Sequence, residues 1–408
     1  MISAVNPMTL KKINRRQLLG GVAATLSVLA QSAKSAPWST IVPALEDPTK
    51  VPGAPVGLIG TKSPFEQIRK TASDISARTP LHKLHGMLTP SDLHFERDHS
   101  GVPSIDPEKH ELLIHGLVER PLTFRLADLK RFPSVSRIAF LECSGNYRSL
   151  DTGKISPQEI CGLTSQSEWT GVKLSTLFRE AGVHDKATWF LAEGGDAAVM
   201  TRSIPVKKGW EDAIIAYAQN GEGVRPEQGY PFRLFLPGFE GNMSVKWLRR
   251  IELSDEPFHT REETSKYTET VGEGKIRQFS FVMDARSIIT YPAFPGKVEK
   301  GWIEIQGIAW SGRGKIDSVE ISTDGGRSWQ LAELQAPVLD KAHTRFRFLW
   351  YWQGSETAIL SRATDETGYQ QPTLKILKQA RGGFMGYHYN PITGWVLKSD
   401  GEVLFQPT

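Results

Sequence analysis

Leu141-Glu142-Cys143-Ser144-Gly145-Asn146-Tyr147-Arg148 is the stretch on which the reading of this chain turns. The run before it, Ile138-Ala139-Phe140-Leu141, predicts a buried strand, and Cys143-Ser144-Gly145-Asn146 predicts the sharp turn that leaves it. A side chain at such a strand end is presented rigidly and can face a cavity. Cys143 is also one of only two cysteines in 408 residues, the other being Cys161. In an oxidising compartment the two could pair as a disulfide. Alternatively, a lone soft ligand among oxygen and nitrogen donors is a candidate metal ligand.

The compartment is read from the N-terminus. Asn14-Arg15-Arg16-Gln17-Leu18-Leu19 sets paired arginines before an apolar run to Ala30, and Ser32, Ala33, Ser35 and Ala36 supply a small-residue end. This pattern predicts a twin-arginine export signal over residues 1–36, cleaved near Ala36, and a periplasmic mature protein. The run is shorter than the roughly 20 apolar residues a membrane helix needs, and nothing after residue 36 resembles a span. The twin-arginine route carries folded proteins, commonly ones that already hold a complex cofactor. Five of the 49 basic residues and none of the 45 acidic ones precede residue 37, so the remainder is close to neutral. That balance argues against nucleic-acid binding, which needs a clustered basic excess.

The expected class is α+β, with enough chain for two domains. Residues 37–80 read as an extended N-terminal segment rich in Pro, Gly and Ser. Residues 81–255 mix strands and short helices. Within them Trp169-Thr170-Gly171-Val172 reads as a turn leading to a helix capped at Ser175. A polar connector covers 256–277. From 278 to 408, alternating segments such as Gly301-Trp302-Ile303-Glu304-Ile305 and Ile316-Asp317-Ser318-Val319-Glu320-Ile321 predict an immunoglobulin-like β-sandwich of about seven strands. Ser322-Thr323-Asp324-Gly325-Gly326-Arg327-Ser328-Trp329 has the form of an Asp-box hairpin. It occurs once, so it reads as a structural turn rather than as a propeller blade.

Several polar side chains stand in apolar or turn-rich surroundings of the first domain. They fall in Phe95-Glu96-Arg97-Asp98-His99, Glu193-Gly194-Gly195-Asp196, Gly229-Tyr230-Pro231-Phe232-Arg233 and Ser244-Val245-Lys246-Trp247-Leu248-Arg249-Arg250-Ile251. Together with the Cys143 motif and Trp169-Thr170-Gly171-Val172, and in this order, they resemble the sulfite oxidase family of molybdenum enzymes from about Leu88 onward. Among its branches the chain is most similar to the SoxC-type sulfane (sulfite) dehydrogenases. The segments that carry this are Cys161-Gly162-Leu163-Thr164-Ser165-Gln166-Ser167-Glu168 and Ser361-Arg362-Ala363-Thr364-Asp365-Glu366-Thr367-Gly368.

The resemblance implies a sulfite-oxidase-type molybdopterin domain followed by a sandwich that mediates homodimer formation. It implies molybdenum held by one molybdopterin and by Cys143 as thiolate, with Cys161 buried or structural. His99, Asp196, Gln228, Arg233, Ser244 and Lys246 are then the cofactor-binding candidates. The chain departs from the animal enzymes, which carry histidine where it has Gln228 and asparagine where it has Asp98. Arg97 and Arg148 are the implied anion-binding arginines, since a dianionic oxo-sulfur substrate suits forked, permanently charged donors. Tyr267 is the implied active-site tyrosine, and Arg381 a further arginine from the second domain.

The implied reaction is two-electron oxidation of sulfur with oxygen transfer. No Cys-x-x-Cys-His sequence is present, so the electrons are expected to leave through a separate c-type cytochrome. The sulfur donor stays open between free sulfite and sulfane sulfur on a thiol carrier protein. A third reading is a non-enzymatic exported β-rich binding protein with a Cys143–Cys161 disulfide.

Overall fold

A computed structural model describes residues 52, 55–147, 152–271, 273–382 and 386–407. The expected export segment and Arg148 lie outside the described residues. The chain divides into two units, Met1–Glu66 and Gln67–Thr408. In the first, residues 55–66 run as bends and turns with exposed side chains. All secondary structure described below belongs to the second.

The apolar run before Cys143 is the buried end of a nine-residue strand, Ser134–Glu142. It pairs antiparallel along its whole length with Thr164–Lys173, from Ser134 opposite Val172 to Glu142 opposite Thr164. The turn expected at Trp169–Val172 is therefore strand. The reason lies in the sheet: a Cβ on Gly171 would collide with the carbonyl oxygen of Ile215, so glycine lets the neighbouring strand Ile214–Gln219 approach. The following helix, Leu174–Ala181, starts from Lys173 without a side-chain cap, and Ser175 lies inside it, buried. Its Leu174, Leu177, Phe178 and Ala181 form one fully buried face at the spacing a helix requires. That face packs with Phe190, Ile204, Leu234 and Ile251 in the core of the first domain. A second sheet runs in the order Leu122–Phe124, Leu112–Gly116, Leu248–Ser254, Trp189–Gly194, Thr201–Pro205.

The extended N-terminal segment and the polar connector both contain regular structure. Thr71–Ser73 and Ser76–Arg78 form a hairpin whose second strand pairs with Glu96–Arg97, so the N-terminal segment fixes the backbone of Arg97. The connector contains a five-residue π-helical turn, Glu262–Lys266, and a hairpin of Glu269–Val271 with Lys275–Arg277.

Among the described residues, the C-terminal strands form one sheet of four and one of five. Two of the nine, Gln330–Leu331 and Glu333–Leu334, are two-residue strands, which leaves seven longer ones, the expected count. Ile305, Trp310, Val319, Ile359, Trp395 and Phe405 fill the space between the sheets, and Leu81, Phe140, Ile160 and Cys161 of the first domain join the same apolar cluster. The two domains therefore share a core. Asp324 organises its hairpin by accepting from the backbone NH groups of Arg327 at 3.0 Å and Ser328 at 2.9 Å. Among the described residues, no helix is long and apolar enough to cross a membrane.

Candidate active site

The turn after Ser134–Glu142 is locked from several sides. Asn146 Nδ2 donates to Glu142 Oε1 at 2.9 Å and to the Cys161 carbonyl at 3.0 Å, while its Oδ1 accepts from Leu163 N at 2.9 Å. Glu142, fully buried, also accepts from Arg286 Nη1 at 3.0 Å and Trp310 Nε1 at 2.6 Å, both from the second domain. A buried carboxylate with this many donors holds its position firmly. Cys143 is thereby fixed at the wall of a cavity of about 340 Å³. Both cysteines are free thiols, with Cys161 buried among apolar groups, so the expected disulfide alternative does not hold. Burial pushes the Cys143 thiol up, against smaller opposing effects of the Gly145 backbone and Arg97. The metal-free thiol keeps its proton, and a metal must displace it to bind.

The same cavity is lined by Arg97, His99, Asp196, Gln228, Arg233, Ser244, Lys246 and Tyr267. Arg233 is fully buried on the short strand Arg233–Phe235. Its Nη1 donates to the Gln228 carbonyl at 2.9 Å and its Nη2 to the Ser244 carbonyl at 2.6 Å, with the guanidinium 5.2 Å from the Trp169 ring centre. No carboxylate lies within ion-pair distance of it among the described residues, and burial lowers its pKa to about 9. Lys246 donates to the Asp98 carboxylate and to the Glu227 carbonyl at 2.9 Å. The next residue, Trp247, sits at φ +50°, a left-handed conformation costly for a bulky side chain. Its indole NH donates to the Pro226 carbonyl at 3.0 Å and holds it there.

Asp196 shapes its loop by accepting from Met200 N at 3.1 Å. Ser244 Oγ accepts from Leu236 N at 3.0 Å, and Gln228 Nε2 donates to the Phe95 carbonyl at 2.8 Å. Tyr267 follows the π-helical turn, a feature frequent at functional sites. Its hydroxyl meets His99 Nε2 at 3.1 Å. Burial, then the neighbouring Arg97, lowers the His99 pKa, so that imidazole is neutral near pH 7.

Arg381 is not brought to the cavity. Its guanidinium pairs with Glu269 and, at 3.1 Å, with Asp284, and it is not among the lining residues. Its sequence surroundings hold neither carboxylate, so nothing local betrays its neutralisation. Sequence reasoning also misses Asn242 and Tyr387, which line the cavity. Asn242 follows Gly241 just before the Ser244–Lys246 motif, a usable signal. Tyr387 has none, because its approach depends on packing between domains.

The donor set fits a molybdenum–pterin group. Among the described residues, no cluster of three or more His, Cys, Asp or Glu could hold a metal ion; a metal at Cys143 would need ligands supplied with its cofactor. Asn242 Oδ1 is a buried acceptor without a partner, as the NH-rich edge of a pterin would satisfy. Arg233 is a buried cation awaiting an anion, as a phosphate tail would supply. A Cβ on Gly241 would lie 2.7 Å from the Glu142 carbonyl, so the loop passes close to the cysteine turn only because that position is glycine.

Residues 99–262 match the oxidoreductase molybdopterin binding domain, and residues 277–393 match the Mo-co oxidoreductase dimerisation domain. Sulfite oxidase of Gallus gallus is 30% identical over 80% of this chain and 74% of its own length. An NADH nitrate reductase of Ulva prolifera is 28% identical over 71% of this chain, which spans 38% of that longer protein. The crystal structure of the sulfane dehydrogenase SoxCD from Paracoccus pantotrophus superposes with a TM-score of 0.85 at 40% identity, covering 90% of this chain and 98% of that one. The protein belongs to the sulfite oxidase family and is a molybdenum–pterin oxidoreductase.

Proposed function

We propose that this chain is the catalytic subunit of a periplasmic sulfane dehydrogenase, oxidising sulfur carried on a protein thiol and passing the electrons to a c-type cytochrome. The observation that carries the reading is the likeness to SoxCD at 40% identity across 98% of that chain. When bound, the molybdenum–pterin group supplies two-electron redox and oxygen-transfer chemistry. The protein's own residues bind, orient and neutralise. Arg97 lines the cavity as a forked cation suited to an oxo-sulfur anion. Tyr267, with His99 against its hydroxyl, offers a fixed polar edge beside it. Cys143 would hold the metal, and Arg233, Lys246, Asn242, Asp196 and Ser244 would hold the pterin.

The residues 1–36 pattern supports twin-arginine export, and the match to a dimerisation domain supports a homodimer. The test is a steady-state comparison of cofactor-loaded protein on free sulfite and on thiosulfate-loaded thiol carrier, with cytochrome c as acceptor. The reading requires kcat/KM for the loaded carrier to exceed that for sulfite at least tenfold. The reverse ranking would make the protein a direct sulfite dehydrogenase, a reading favoured by the likeness to sulfite oxidase.

A further inference from the structure

Among the described residues, the second domain reaches the cavity at one residue. After the helix Leu374–Arg381, residues 386–390 return to the first domain and are clamped there. His388 N donates to the Ser144 carbonyl at 2.9 Å, and His388 Nε2 meets Glu240 Oε2 at 3.2 Å. The Tyr389 and Tyr147 rings lie 5.0 Å apart, and within the second domain Asn390 Nδ2 donates to the Ala285 carbonyl at 3.0 Å. Between these anchors and the metal-ligand turn stands Tyr387, half-buried, and of the cavity-lining residues it alone lies beyond residue 277.

Its ring faces that of Tyr267 at 5.2 Å, tilted by 50°. The two hydroxyls differ in what they already do. Tyr267 OH is engaged by His99, whereas Tyr387 OH has no hydrogen-bond partner among the described residues. Burial pushes the Tyr387 hydroxyl up, so it keeps its proton and can donate. A donor at a cavity wall that no protein group occupies, on a backbone pinned by its neighbours, is free to turn to a guest in that cavity.

We propose that Tyr387 is a specificity-determining residue, whose hydroxyl donates to an oxygen of the substrate anion and whose ring, against Tyr267, limits the width of the cavity. This rests on the proposed function only in taking the guest to be an oxo-sulfur anion. A site that provides a donor discriminates strongly against guests that cannot use it.

The test uses cofactor-loaded wild type, Tyr387→Phe and Tyr387→Ala, with metal content measured in each. Sulfate binding by calorimetry should weaken about tenfold in Tyr387→Phe, and sulfite KM, with ferricyanide as acceptor, should rise about tenfold with kcat within threefold. Tyr387→Ala should in addition bind benzenesulfonate at least tenfold more tightly than wild type. Sulfate affinity and sulfite KM within twofold of wild type in both variants would overturn the proposal. So would a wild type that binds no sulfate, or loss of molybdenum from Tyr387→Phe, which would make the residue part of the cofactor's hold. If sulfate binding falls tenfold in Tyr387→Phe yet no protein turns over sulfite or loaded carrier, the proposed reaction fails and the role of Tyr387 stands.

Discussion

Arg202 and Arg233 are both fully buried beside the cavity, and they are held in opposite ways. Arg202 donates to Glu263 at 2.8 Å and to Glu240 at 3.0 Å, and its guanidinium lies 4.6 Å from the Tyr267 ring centre. Burial works against its charge, but the two carboxylates outweigh burial and raise its pKa. Arg233 has backbone carbonyls for partners, and burial lowers its pKa to about 9. A buried cation without a counter-ion is costly. The difference teaches which charge serves the scaffold and which serves a guest: Arg202 fixes the wall that presents Tyr267, and Arg233 is completed by an anion from outside the chain.

The largest expected effect tests whether a cofactor is on the Arg233 side at all. Cys143→Ser should lose molybdenum roughly tenfold or more, read by elemental analysis of protein from a molybdenum-replete host. Full retention would remove the reason for treating Arg233 as cofactor-facing. Next, Arg202→Met leaves Glu263 buried without its cation and Glu240 with only His388, and should destabilise the protein by about 3–5 kcal/mol in denaturant titrations. Adding Glu263→Gln should recover part of that loss. Arg233→Gln should change cofactor-free stability by less than about 1 kcal/mol, while weakening cofactor retention roughly tenfold. A stability loss equal to that of Arg202→Met would break the comparison.

The smallest effect is a pH dependence. For His388, burial opposes the charge, but pairing with Glu240 prevails and raises its pKa above 6.5. Its stabilisation is therefore complete below 6.5 and is lost as pH rises through the raised value. His343 is the reverse: burial, then Arg345, lowers it to about 3. As pH falls from 6.5 toward that value the unfolded chain takes up the proton first, and stability declines. His388→Asn should thus destabilise by about 1 kcal/mol at pH 5.5 and by less at pH 8.5. His343→Gln should flatten the decline in urea midpoint below pH 6.5.

Much of this site is legible in the sequence alone. Cys143 at a strand end, the glycine before Asn242 and the Lys246 motif are local patterns, and local patterns survive in sequence. The strand through Gly171 passes for a turn because its glycine answers to a neighbouring strand. The hairpin that sets Arg97 leaves little trace, because Ser76–Arg78 carries little periodicity of its own and gains its order by pairing. Arg381 reads as a free cation because Glu269 and Asp284 stand about a hundred residues away in the chain.

By itself, the sequence determined the classes of chemistry on offer: one thiolate set in a turn, several forked cations, and a sandwich after a mixed domain. Tertiary structure decided which of those groups remain available. Burial and charge neutralisation depend on neighbours brought together by packing, so Arg202 and Arg381 are taken up by carboxylates while Arg97 and Arg233 face the cavity. The same packing brings Tyr387 of the second domain against Tyr267 of the connector, 120 residues earlier in the chain.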